Sequence, residues 1–403
     1  MDKVVGNVEN WLVDILKGIG VFFVHPLFYF FLLLTVVMGY RRVKKERSFF
    51  HVRIFDTISE TKLMLTAGLF AGLVISLLTI GVGFVLPVGG VVLIAAVTLV
   101  LGLTFRLRLL SPAYVMGLVI LLSMILPEWQ TGHAIVDVLI AELEIIHPTT
   151  LSGLLALLLI AEGFLIMKDG SRISTPRLET SKRGRMIGSH LSNLLWMLPV
   201  FILLPGAPVT SVFPWWPLLS VGQQSFALCL LPFGIGFFQK TRGSLPKGAI
   251  VYTGKRVMAL GMFMAILAVT TYWLPMMSIA VALLAMIGRE LLTIQQRVQD
   301  DDHHYFSRRD QGLVILGIIP KSPAEKMALQ VGEFITKVNG SQVKSVEEFY
   351  YALQKNAAFV KLEVVDHNGE LRLVQRALYD GEHHELGMLF VQDEKVGKVE
   401  QVG

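Results

Sequence analysis

Unbroken apolar runs alternate with short polar stretches through residue 288, and beyond residue 312 the rhythm changes to short β-branched segments separated by turn residues. A helix needs ~20 mostly apolar residues to cross ~30 Å of hydrocarbon. The runs that approach this length are Val21–Met38, Leu63–Ile80, Phe84–Leu103, Ala113–Leu126, Thr149–Met167, Leu191–Leu204, Leu218–Phe238, Val257–Leu274 and Met276–Gly288. They predict an α-helical polytopic membrane domain over residues 1–288, of about nine spans. The last two runs flank Pro275 and read as a thin hairpin or as one long kinked helix.

Charge orders these runs. Seven Lys/Arg fall between Arg41 and Lys62, two in the Thr104–Pro112 stretch, six between Lys168 and His190, and five between Gln239 and Arg256. The alternate loops, Gly81–Pro87, Pro127–Pro148 and Gly206–Pro217, carry none. Alternation of this kind is the positive-inside pattern, which expects the basic loops in the cytoplasm and the N-terminus outside. A cytoplasmic tail then requires the hairpin at Pro275, and Arg289 and Arg297 after the last run favour the same side. The stretch before Val21 is mixed in charge and no small-residue cleavage site follows Met38, so Val21–Met38 is expected to stay as an uncleaved span. Ile135, Val138, Leu139 and Leu143 repeat at helical spacing between acids, as on a helix lying at the outer surface. Trp129, Trp215 and Trp216 suit headgroup depth.

The mean hydropathy is +0.61. Only 17% of residues are charged, and residues 1–288 hold 22 Lys/Arg against 13 Asp/Glu while residues 289–403 hold 14 against 18. The basic charge thus lies between apolar runs, where it meets lipid headgroups or solvent, and is no nucleic-acid signature. A single cysteine, Cys229, excludes a disulfide framework within the chain.

Few polar groups interrupt the runs. Glu162 in the fifth run is either a functional group at depth or a side chain reaching the inner headgroups near Lys168. Gln223, Gln224 and Ser225 line a pathway or bond between helices. His25-Pro26 and His147-Pro148 recur at the outer starts of two runs, where Pro fits the first helical turn and His can cap it; paired catalytic or proton-relay histidines are the other reading. The "DDDHH" and "GEHHE" stretches contain metal-ligand residue types but no tetrahedral spacing, and read as solvated loops. No cofactor is implied.

Residues 289–311 read as a cytoplasmic linker that begins as an extension of the last span, and residues 312–395 as a small α+β domain. Leu313–Ile319 is strand-like, and Ser322-Pro323-Ala324-Glu325 has the capping-box order. Phe334–Val338 alternates into an Asn-Gly turn. Ser345-Val346-Glu347-Glu348 is a second capping box, opening a helix with Val346, Phe349 and Leu353 on one face. Phe359–Val365 and Leu371–Arg376 form a hairpin, and Leu386–Val391 is a last strand. The string GLVILGIIPKSPAEKMALQVGEFITKVNG resembles a bacterial PDZ domain, departing from the pattern at Met327-Ala328, where Ala-Gly is usual, and at Glu333, where Asp is usual. PDZ domains add an extended peptide to a sheet edge beside a helix. The resemblance implies a circularly permuted form whose carboxylate-holding loop is Leu386-Gly387-Met388-Leu389, with Tyr350 as a pocket wall; otherwise Leu386–Val391 is only a closing core strand.

A membrane anchor with a PDZ domain also occurs in proteases, but the chain has no His-Glu-x-x-His string and no activated serine in a glycine-rich turn. A transporter or its regulator would need a site in broken helices, for which Glu162 and the paired glutamines are thin support. The run GVFFVHPLFYFFLLLTVVMGYRRVKKERSFFHVRIFD, the later RLLSPAYVMG and the closing PDZ domain are similar to the MinJ family of cell-division determinants. That resemblance implies a non-enzymatic scaffold in the bacterial cell membrane, enriched at septum and poles, which bridges DivIVA to MinC–MinD so that the septum forms at midcell.

Overall fold

A computed structural model describes residues 2–181, 184–210, 216–219, 225–301, 305–307, 312–356, 358–378 and 386–391. The chain opens with seven helices: α1 (Asp2–Val24), α2 (Pro26–Phe50), α3 (Ser59–Val82), α4 (Val88–Leu103), α5 (Pro112–Ile125), α6 (Ala134–Ala141) and α7 (Pro148–Asp169). A three-stranded antiparallel sheet follows, of β1 (Ser174–Thr180), β2 (Met186–Thr210) and β3 (Ser225–Thr241), in that spatial order. Two further helices, α8 (Pro246–Thr270) and α9 (Met277–Asp301), complete this region. Among the described residues five helices, α2, α3, α7, α8 and α9, are long and apolar enough to cross a membrane, and two shorter apolar helices accompany them.

Two expected spans are not helices. Leu191–Leu204 lies in β2 and Leu218–Phe238 falls largely in β3. Each run carries a proline near its centre, and Pro199 and Pro232 stand opposite each other in the register of the pair. A proline inside a helix costs about 3 kcal/mol. In a strand it is tolerated where its nitrogen faces away from the ladder. The nitrogen of Pro199 faces α3, with a Cβ at Gly72 falling 2.8 Å from it.

Helix α3 covers the outer edge of β2. A strand edge in an apolar surround must have its backbone groups satisfied. The Ser76 hydroxyl accepts from Phe201 N at 2.9 Å, and the Thr79 hydroxyl donates to Phe201 O at 2.6 Å. Gly68 and Gly72, a turn apart, let the backbones approach: a Cβ at Gly68 would lie 2.0 Å from Met197 O. On the other strand Gly234 receives the ring of Phe31 from α2. Trp196 and Phe237 stack across the hairpin at 6.1 Å, buried in the main core. Gly68→Leu is therefore expected to destabilise the chain by about 1–3 kcal/mol through overpacking. Gly81→Leu on the same helix, with nothing within 4 Å, is the matched control. Thermal unfolding of both variants in detergent checks this.

The first expected span is divided. Helix α1 ends before His25, and α2 begins at Pro26, with His25 Nδ1 accepting from Leu27 N at 3.3 Å. His147 repeats the arrangement, its Nδ1 accepting from Thr149 N at 3.3 Å at the start of α7. The histidines are helix caps, as the His-Pro order expects. Pro275 lies in the turn between α8 and α9, so the last two runs form a hairpin rather than one kinked helix.

Helix α9 runs on to Asp301, as expected of the linker's start. The linker also contains a buried anchor that composition did not show. Phe306 is fully buried with Leu178, Val314 and Leu316, tying the C-terminal domain to β1. Phe306 O accepts from Gly188 N at 2.8 Å. His190 on β2 is sealed in the same contact. Its Nε2 donates to Leu316 O at 2.8 Å, its Nδ1 accepts from Ser174 Oγ at 3.3 Å, and its ring lies 5.0 Å from that of Phe306.

Burial pulls the His190 pKa down to about 4 from an ordinary 6.5. With the folded value depressed, the neutral ring's contribution is complete above pH 6.5 and is lost as pH falls toward 4. A loss of roughly 3 kcal/mol over that window is expected. The slope of thermal stability between pH 7 and pH 5 should be shallower in His190→Gln than in the natural chain.

The C-terminal domain contains β4 (Leu313–Ile318), α10 (Pro323–Lys326), β5 (Phe334–Val338), β6 (Ser341–Gln342), α11 (Val346–Gln354), β7 (Phe359–Val365), β8 (Leu371–Ala377) and β9 (Met388–Phe390). The strand order is β8-β7-β5-β4-β9, with β6 beside β5. Both serines cap their helices, Ser322 Oγ accepting from Glu325 N and Ser345 Oγ from Glu348 N at 3.2 Å, while the Glu325 and Glu348 carboxylates accept from Lys321 N and Lys344 N, one residue before each cap. Ala328, standing where the pattern has glycine, adopts φ +53°, a left-handed conformation that strains a Cβ. Glu333 accepts Gln330 N at 2.9 Å and pairs with Arg372 at 2.8 Å.

Candidate peptide-binding groove

Strand β9 is the last of the described strands and pairs antiparallel with β4, the first strand of its domain, as the permuted order expects. Among the described residues no strand covers its other edge. Helix α11 lies beside that edge, with the ring of Phe349 at 5.1 Å from that of Phe390. The result is a cleft between a strand edge and a helix.

Gly387 shapes the closed end of the cleft. Its φ is +80°, and a Cβ there would fall 2.3 Å from Ser322 Cβ. Its carbonyl accepts from Ile319 N at 2.8 Å, while no described residue accepts its own N–H. A backbone N–H at a strand's start can donate to a carboxylate oxygen.

Gly387, Met388, Leu389 and Tyr350 all line the cleft. Leu386 does not line it: its side chain is buried in the domain core and its carbonyl accepts from Ala324 N at 2.9 Å, which holds the loop in place. Val346, Ile319 and Phe390 complete the walls. Val346 was visible in the sequence only as part of an apolar helix face. Ile319 and Phe390 become walls through the strand register.

Four residues at the junction of α2 and α3 also line the cleft. Phe49, Phe50, His51 and Val52 close over its mouth, where α2 ends with His51 in a left-handed conformation of φ 59°. The remaining cavity is about 170 Å³. Pockets that hold ligands are usually ~300 Å³ or more. The cleft is thus partly filled by the chain's own aromatic turn.

Glu162, the ionisable residue of the fifth run, has structural partners. Glu162 is fully buried, and neither reaches headgroups nor stands free. Its Oε1 accepts from Arg289 at 2.9 and 3.1 Å, and its Oε2 accepts from Ser111 Oγ at 2.5 Å. Gln223, Gln224, Trp215, "GEHHE" and the Asp302–His304 part of "DDDHH" lie outside the described residues.

The PDZ domain family model matches residues 314–366. Along nearly its whole length the chain is similar to a set of division proteins. It is 43% identical over 388 residues to the cell division topological determinant MinJ of Bacillus subtilis (strain 168), covering 96% of this chain and 97% of that one. It is 26% identical over 376 residues to the probable cell division topological determinants MinJ of Lacticaseibacillus paracasei and Lacticaseibacillus casei (strain BD-II), covering 90% of this chain and 94% of each.

Proposed function

The chain belongs to the MinJ family of cell division topological determinants, and from that membership we propose that it acts in division-site selection as a membrane scaffold that docks protein partners through its PDZ cleft. The observation that carries the docking role is the open edge of β9 beside α11, closed at one end by the Gly387 loop. An extended segment adds there as a further strand, its backbone supplying affinity and its side chains entering the space between Met388 and Tyr350. A scaffold of this kind needs no catalytic residues, in keeping with the relatives' name.

The partners we assign are DivIVA on one side and MinD, with MinC, on the other, so that the inhibitor is held at septum and poles. The topology that presents the cleft to them follows from loop charge. Five long helices, two shorter ones and the two strands β2 and β3 make the alternating passes. A strand that enters and a strand that returns preserve the sidedness of two helical spans. The basic loops and the PDZ domain then lie in the cytoplasm and the N-terminus outside.

The test uses the full chain in cells. Cross-linking to DivIVA and MinD should occur with the natural chain and fall at least about tenfold with Gly387→Val, which fills the loop. Undiminished cross-linking to both partners would assign the bridge to other surfaces. Reporter fusions at residue 403 and in the Pro127–Pro148 loop should give opposite sidedness.

A further inference from the structure

A second concavity, of about 400 Å³, lies where the inner end of α2 meets β1 and β2, away from the peptide cleft. Arg41, Lys44 and Lys45 project into it from successive turns of α2, and Arg177 from β1 faces them. Among the described residues none of these four cations forms an ion pair. Arg177 Nε is buried without a hydrogen-bond partner. Arg41 only stacks on the Phe105 ring, at 4.8 Å.

The nearby carboxylates are committed elsewhere. Glu46 accepts from Arg42 at 2.6 Å and from Ile54 N at 2.9 Å. Glu60 takes the Nε and Nη2 of Arg42. These two carboxylates outweigh the charge of Arg42 by one, Glu60 itself lines the concavity, and Glu179 near Arg177 is held by Lys240 and Arg242; five cations against Glu46 and Glu60 still leave an excess of positive charge on this concave surface. Such an arrangement persists when an anion is present to bridge it. Thr175 and Asn193 add neutral polar groups to the walls.

The rest of the lining gives the ligand a second property. Met38, Ile173 and Leu191 form an apolar floor beneath the cations. A group that satisfies both is an anion attached to a hydrocarbon chain. The site also sits where the apolar run of α2 gives way to its cationic end, the level of the inner headgroups in the topology above.

We propose that this concavity binds a phosphate ester, supplied as the headgroup of an anionic phospholipid whose glycerol and upper acyl carbons rest on the apolar floor. Arg177 and Arg41 hold phosphate oxygens through guanidinium forks. Lys44 and Lys45 add point charge at the rim. Helix α2 and β1 are thereby joined through the lipid, since no ion pair joins them directly among the described residues.

Native mass spectrometry of the full chain, purified in detergent and exposed to phosphatidylglycerol or phosphatidylcholine, tests the site. The natural chain should retain phosphatidylglycerol in preference to phosphatidylcholine. Retention should fall by about tenfold in Lys45→Gln and in Arg177→Gln, and recover in part in Arg177→Lys. Arg53→Gln, an exposed residue paired with Asp56, should leave it unchanged. Lys45 is exposed, so its variant should fold even where Arg177→Gln does not. A chain that retains no lipid, but whose melting point rises with inorganic phosphate in the natural form and not in Lys45→Gln, would keep the phosphate site and assign it a soluble ligand. Equal retention of both lipids, equal retention by all variants, or no response to either probe would overturn the proposal.

Discussion

Arg289→Met is expected to destabilise the chain by about 3–5 kcal/mol, the cost of leaving a buried carboxylate without its counter-charge. Arg289 and Glu162 are 2% and 0% exposed. The pair connects α9 to α7, and the Ser111 hydroxyl extends it to the start of α5. Arg289 Nη1 also donates to Thr293 Oγ1 at 3.1 Å, which fixes the guanidinium plane. Removing the cation alone leaves Glu162 to be protonated or hydrated at depth. Arg289→Met combined with Glu162→Leu removes both charges and should recover most of the loss, because desolvation of an ion pair offsets much of its attraction. Thermal unfolding of the two single variants and the double variant in one detergent gives the coupling. A single variant as stable as the double would show that water reaches Glu162. Such an outcome would return the residue to the pathway role that its position in an apolar run first suggested.

The second large effect concerns the aromatic turn over the cleft. Phe50 and Phe49 are half-buried and line the candidate cleft. A peptide that enters must displace them, so the closed state lowers apparent affinity by the open fraction. Truncating Phe50 removes apolar contact of the order of 1.5 kcal/mol, at the low end for a phenylalanine. Phe50→Ala should therefore raise partner binding by about tenfold. It should also speed hydrogen exchange at the Met388–Phe390 amides, which report opening without any partner. Gly387→Val added to Phe50→Ala should abolish the gain. Unchanged exchange and affinity in Phe50→Ala would mean that the turn rests beside the cleft without controlling it.

The C-terminal domain was legible because its signals are local. Serine caps at Ser322 and Ser345, the turn after Val338 and the alternation of Phe359–Val365 each act within a few residues, and all took the expected form. The Leu386–Leu389 loop was legible only through resemblance, and its division into a buried Leu386 and cleft-lining neighbours followed from packing against Ala324 and Ile319. The β2–β3 hairpin was not legible. A continuous apolar run fits a buried strand as well as a helix, and periodicity cannot separate them. Pro199 and Pro232 were the available signal, but their meaning depends on standing opposite one another.

Charge and hydropathy along the chain determined that apolar runs fill the first 288 residues and that basic loops alternate with loops free of Lys and Arg. Those properties are sums over neighbouring residues, and no folding can alter them. The tertiary structure decided which apolar runs became strands, what neutralises Glu162, which aromatic residues line the cleft, and where four cations meet with no ion pair among the described residues. Each of these depends on groups far apart in sequence, whose energies exist only after the chain has brought them within a few ångströms.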